Sequence, residues 1–157
     1  MKNITKIAIV VIVAVLVLVV IAAATSSPSD QEKGHEAYYN FELDTKTSFT
    51  SPEGYVETPP SGQKYVIAKV SLKNASAKNG VSDNPLYFVL DINGIQHSYD
   101  WDTYSYPGYH SPVSYTPGTQ GYNYFVYVVP TSTSLSNAKI AFDGFPWEDV
   151  VYDPSKF

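Results

Sequence analysis

The stretch that decides the fold is KYVIAKVSLK, from Lys64 to Lys73. Val66, Ala68, Val70 and Leu72 fall at every second position, with Lys69, Ser71 and Lys73 between and after them. Side chains of an extended chain alternate sides, so this pattern predicts a strand with one buried face and one wet face. Downstream, Leu86 to Ile92 repeats the alternation, with Phe88, Leu90 and Ile92 set against Tyr87, Val89 and Asp91. Asn93-Gly94 then opens a tight hairpin into Ile95 to Tyr99, because both residues tolerate positive φ.

A second turn at Pro117-Gly118 leads into Tyr122 to Val129, where Phe125, Tyr127 and Val129 form the expected inner face. Pro130 has no amide hydrogen for a ladder and ends that strand. Ala138 to Phe142 is the closing strand, and Gly144 to Phe157 is expected to pack as a tail over an open end. Upstream, Tyr38 to Leu43 is the first strand, followed by a loose stretch containing Pro52, Gly54, Pro59 and Pro60. No run at helical period is long enough to compete, and there is no internal repeat. The expected fold is all-β, an immunoglobulin-like antiparallel β-sandwich built from short strands.

The N-terminus has a different character. From Ile7 to Ala24 every residue is apolar, IAIVVIVAVLVLVVIAAA. As a helix this run spans roughly 27 Å, close to the thickness of a hydrocarbon core. One transmembrane helix is therefore expected over 7–24, with 1–6 as a cytoplasmic leader. Lys2 and Lys6 precede the run and every acid follows it, which keeps the leader inside and exports the rest. A cleaved signal peptide is the competing reading, because Ala22, Ala23 and Ala24 fit a peptidase site. Secretory apolar cores usually run about 7 to 15 residues, so the length favours a retained anchor. No cysteine exists for a lipoprotein linkage. Thr25 to Ala37, TSSPSDQEKGHEA, is polar and aperiodic and reads as a flexible stalk, leaving 38–157 as the extracytoplasmic domain.

Composition narrows the partners. All ten basic residues are lysines, two of them in the leader, against fifteen acids, so the exported part carries 8 − 15 = −7. A chain without arginine or a basic cluster lacks the means to bind a phosphate backbone, which argues against nucleic acid. The absence of cysteine removes disulfides and thiolate metal sites, and fits a bacterial or archaeal envelope better than an animal ectodomain.

The succession GQKYVIAKVSLKN from Gly62, FVLDINGIQH from Phe88, TPGTQG from Thr116 and FVYVVP ending at Pro130 resembles a domain of unknown function. That family is common in bacterial and archaeal envelope proteins, where it follows a transmembrane helix or a lipoprotein signal. Its members look like immunoglobulin-like β-sandwiches, similar in fold to a secreted mycobacterial immunogenic antigen. The resemblance covers about Tyr38 to Phe142, its motifs are strands and turns, and it brings no catalytic residues. The stretch from Tyr99 to Tyr115 is longer and more aromatic than the family pattern, and the tail after Phe142 is extended.

That aromatic stretch is the candidate binding surface. In DWDTYSYPGYHSPVSY, from Asp100 to Tyr115, the rings of Trp101, Tyr104, Tyr106, Tyr109 and Tyr115 crowd a segment that Pro107, Gly108 and Pro112 keep from being a regular strand. Some of those rings must face solvent, where Tyr and Trp offer contact area with little side-chain entropy to lose. The alternative is that the loop folds back to cap an open end. An envelope protein or polysaccharide is the expected partner, besides the membrane itself.

Other chemistry is thinner. Asp100 and Asp102 are weak candidates for a calcium site, and His97 and His110 would have to converge with one of them to hold zinc. A small-ligand or metal-ion binding domain is the alternative function. Acid pairs for hydrolysis could be drawn from Asp100, Asp102, Asp143, Glu148 and Asp149, but there is no nucleophile elbow, no zinc-protease motif and no phosphate loop, so neither an enzyme nor a cofactor is expected. His35 falls in the stalk. Asn74-Ala75-Ser76 is a glycosylation sequon, with a strand-ending turn residue as the competing reading of Asn74.

Overall fold

A computed structural model describes residues 36–76, 78–144 and 149–157. The leader, the apolar run 7–24, His35, Glu148, and the stalk up to residue 35 lie outside the described residues. Among the described residues no helix is long and apolar enough to cross a membrane.

The described chain is all-β. Its strands are β1 (Ala37–Lys46), β2 (Phe49–Thr50), β3 (Val56–Glu57), β4 (Gln63–Asn74), β5 (Val81–Ser82), β6 (Phe88–Ile92), β7 (Ile95–His97), β8 (Ser114–Tyr115), β9 (Gln120–Pro130), β10 (Ala138–Phe142) and β11 (Val150–Tyr152). They form a four-stranded sheet ordered β11-β1-β4-β9, a three-stranded sheet ordered β10-β6-β7, and the two-stranded pairs β2-β3 and β5-β8.

The KYVIAKVSLK stretch is the heart of the larger sheet. β4 pairs antiparallel with β1 from Ala37↔Asn74 to Lys46↔Tyr65, and with β9 from Gln63↔Pro130 to Lys73↔Gln120. Val66, Ala68, Val70 and Leu72 are fully buried, as are Phe125, Tyr127 and Val129 on β9. They join Phe88 and Leu90 of β6 and Ile140 of β10 in one apolar cluster. Two tyrosines end inside it with their hydroxyls satisfied: Tyr39 donates to the Ile140 carbonyl at 2.9 Å and Tyr127 to the Phe88 carbonyl at 3.0 Å. A buried hydroxyl without such a partner is costly, so these two bonds fix how the sheets register against each other.

Three expectations are corrected. The second face of β4 is wet only at one end: Tyr65 and Ile67 are buried with Phe49 and Val126 in a second cluster, against which Tyr106, Tyr124 and Val128 pack. The tail does not simply lie over an end, because β11 pairs in parallel with β1 through Ala37↔Val150 to Tyr39↔Tyr152 and extends the sheet. The strand expected from Leu86 begins at Phe88, since Pro85–Tyr87 is a 3-10 turn whose first amide hydrogen bonds are taken up by Asn84, its side chain accepting from the Leu86 amide at 3.0 Å. The hairpin at Asn93-Gly94 is as read, with φ of 55° and 84°, the left-handed region that these two residues enter at least cost.

Candidate functional site

The aromatic segment is a strap that runs around the free edge of β9. An unpaired strand edge offers its amides and carbonyls to any passing strand, and proteins usually cover it. Here Val126 donates its amide to the Thr103 hydroxyl at 2.9 Å, and its carbonyl accepts from the Asp100 amide at 2.7 Å. Further along the same edge, the Tyr122 carbonyl meets His110 Nε2 at 2.8 Å, and the Tyr124 amide donates to the Asn123 side-chain oxygen at 2.9 Å.

Local chemistry explains the strap's shape. Trp101–Ser105 is a 3-10 turn with Asp100 as its N-cap, the carboxylate accepting from the Asp102 amide at 3.0 Å. Asp102 accepts a hydrogen bond from the Tyr65 hydroxyl, and Thr103 is fully buried against β9. Burial, with the neighbouring Asp102 carboxylate, pushes the Tyr65 phenol well above its usual range, so it stays a neutral donor. At Gly108 the backbone takes φ of 99° and a Cβ would come within 3.0 Å of the Tyr124 ring, so only glycine lets the strap pass this close to β9.

The five candidate rings therefore divide. Tyr106 packs on the outer face of the large sheet, its ring centroid 5.1 Å from Phe49 and 5.4 Å from Tyr124. Tyr115 lies on the opposite face, packed on the main cluster and donating to Asp83 at 2.9 Å. Those two rings are half-buried and engaged within the domain. Trp101 and Tyr104 are 77% and 47% exposed, with centroids 5.6 Å apart. Tyr99 and Tyr109 flank Tyr104 edge-on at 6.0 and 5.3 Å, and the Tyr99 and Tyr104 hydroxyls are 3.1 Å apart. That hydrogen bond, then burial, raises the Tyr104 phenol to about 12, and burial raises Tyr109. The Tyr104 and Tyr109 phenols are therefore neutral at physiological pH, and the turn that carries Trp101 and Tyr104 is held by Asp100 and Thr103.

The remaining candidates fare differently. Asp100 and Asp102 hold the turn as described, and among the described residues no group of three or more His, Asp or Glu side chains could hold a metal ion. His97 ends β7, whereas His110 sits on the β9 edge. Asn74 is 1% exposed, its amide nitrogen donating to the Asn79 and Tyr115 carbonyls, both at 2.7 Å. A glycan on that nitrogen would displace one of the two donated hydrogens and would have to enter a buried site, so the nitrogen is inaccessible in the folded domain, where Asn74 ends β4.

Sequence reasoning missed Asp83. It is completely buried, accepting from the Val113 amide at 2.7 Å and the Tyr115 hydroxyl at 2.9 Å, with His110 Nε2 at 3.6 Å. VSDNP reads locally as a turn, and every one of those partners lies about thirty residues downstream, so no local signal marks it. No known protein family, curated protein or solved structure matches the chain.

Proposed function

We propose that this chain is a non-catalytic cell-envelope interaction module, tethered to the membrane by residues 7–24. Its domain, 38–157, lies outside the cytoplasmic membrane and is an immunoglobulin-like β-sandwich of the envelope family it resembles. The apolar cluster shared by the two larger sheets favours that architecture, and the length and flanking charges of the apolar run favour the tether. Intact mass of the membrane-extracted protein tests the anchor. A mature chain beginning near Thr25 would replace it with cleavage and secretion.

The module binds an envelope protein or surface polysaccharide through Trp101, Tyr104 and Tyr109. One observation carries this reading: Trp101 stays largely exposed on a turn whose Asp100, Asp102 and Thr103 are all tied down. A large ring on a preorganised support loses little entropy on binding, which is what a contact residue needs. The rings pack against one another, so the patch suits the flat face of a sugar or a partner's apolar side chains. Capture of detergent-solubilised envelope proteins and of purified cell-wall polysaccharide on the immobilised full-length chain tests this. Trp101→Ser with Tyr104→Ser should abolish capture at unchanged melting temperature. Equal capture by the folded double variant would remove the patch from the function.

A further inference from the structure

The strap is held to β9 at one point by an imidazole whose two nitrogens each face a carbonyl. His110 Nδ1 faces the Ser111 carbonyl at 2.9 Å and Nε2 faces the Tyr122 carbonyl at 2.8 Å. Carbonyl oxygens only accept, and a neutral imidazole has a single N–H, so both contacts are hydrogen bonds only when the ring is protonated at both nitrogens. The buried Asp83 carboxylate stands 3.6 Å from Nε2, and among the described residues His110 is its cationic partner.

We propose that His110 is a proton-operated clasp, which as an imidazolium pins residues 106–115 to the β9 edge and on deprotonation loosens that stretch together with the Tyr109 ring it positions. A neutral ring would turn a lone pair toward one carbonyl and leave the buried Asp83 without its counter-charge. The backbone on either side depends on the same point: the His110 amide donates to the Asn123 side chain at 3.2 Å, and Asn123 donates back to the His110 carbonyl at 2.9 Å. Tyr109, one residue away, packs edge-on against Tyr104 at 5.3 Å, so the clasp is coupled to the exposed patch whatever that patch binds.

The groups facing the ring favour the charged form. Asp83 approaches from the segment after β5, and the phenol of Tyr115 on β8 shares that carboxylate. Burial raises the Tyr115 phenol first and Asp83 raises it further, so Tyr115 stays neutral. The Tyr122 side chain of β9 lies under Lys69 at 5.1 Å, and Tyr109 of the strap is likewise a neutral phenol. For His110 itself, burial pulls the pKa down, but the two carbonyls and Asp83 together outweigh it and leave it above 6.5. A histidine with a raised folded value contributes its full stabilisation below 6.5 and loses it as pH climbs through the folded value. The clasp is therefore closed in mildly acidic medium and opens on the alkaline side.

The test uses the full-length chain in mild detergent with nitrogen-labelled histidine, His110 being assigned through His110→Gln. Both ring nitrogens should be protonated on the acid side of the transition, and the titration midpoint should lie above 6.5. The His110 and Val113 amides report the strap, since both donate to side chains of the clasp region. After correction for intrinsic base catalysis, their exchange should accelerate roughly tenfold across the transition. His110→Gln should lack that acceleration, and Asp83→Asn should lower the His110 midpoint. A midpoint at or below 6.5, a flat exchange profile in the wild type, or the same profile in His110→Gln would overturn the proposal. Should either variant fail to fold, the wild-type midpoint and exchange profile decide it alone.

Discussion

The two faces of the large sheet are built from the same strands but held by different physics. The inner face, Val66, Ala68, Val70 and Leu72 with Phe125 and Tyr127, is closed by aliphatic and aromatic packing against β6 and β10. The outer face, Tyr65, Ile67 and Val126, is closed by a strap that brings polar groups with it: Asp102 to Tyr65, Thr103 to Val126, His110 to Tyr122. The centre of the inner face is wholly apolar, whereas the strapped face has a carboxylate and an imidazole near its edge. That difference separates stability from response: the inner face defines the domain, and the outer face carries the parts that a proton or a partner can address.

The harshest way to break the comparison is Val70→Asp. It places an unpaired carboxylate in the centre of the inner face at a residue with no exposure, at a cost of several kcal/mol against a typical total of roughly 5 to 15. Loss of the cooperative thermal transition is expected. A variant that melts near the wild type would mean that β4 is read in the wrong register.

Ile67→Ala probes the outer face at a nearby position. It leaves a void beneath Tyr106 and Phe49, and truncations of this kind cost about 2 to 5 kcal/mol. Because the strap can settle toward the gap more readily than two sheets can, a value at the lower end is expected, measured by denaturant midpoint at unchanged m. If it cost as much as an inner truncation such as Leu72→Ala, the strap would be as rigid as the core.

These two faces also differ in how far they could be read from sequence. The inner one was legible because period-two patterning is a local signal: Val66 to Leu72, Phe88 to Ile92 and Phe125 to Val129 each announce a buried side. The outer one left a fainter trace. Tyr65, Val66, Ile67 and Ala68 are consecutive apolar residues, and a strand buried on both faces reads as a continuous run; the lysines that follow masked that reading. The crowding of rings in the strap was visible, and so was the impossibility of burying or exposing them all. Which ring goes where was not, because Tyr106 is placed by Phe49 and Tyr115 by Asp83, contacts set by the closed fold. The edge pairing of β11 was hidden for the same reason, three residues of tail giving no periodicity to read.

Tyr65→Phe is a gentler probe. It keeps the ring in the outer cluster and removes only the hydroxyl that Asp102 accepts from, so the expected cost is about 1.5 to 2 kcal/mol, the lower end of the range for a hydrogen bond to a charged group. Calorimetry should show a lower melting temperature, and amide exchange should rise around Trp101–Ser105 before it rises in β4. Uniform loosening of both would instead make the turn part of the same cooperative unit as the sheet.

Trp101→Ser should change stability least, by no more than about 0.5 kcal/mol, because a largely exposed ring gives up little burial when it is removed. Trp101 touches Tyr104 at 5.6 Å, but the turn beneath it is held by Asp100, Asp102 and Thr103, none of which the substitution disturbs. The same change removes the largest contact surface on the patch, so a function that uses the patch should suffer a loss of binding out of all proportion to the loss of stability. Melting temperature and partner capture measured on one preparation separate the two. A clear fall in melting temperature would mean that Trp101 braces the strap, and the outer face would then be a second core rather than a platform.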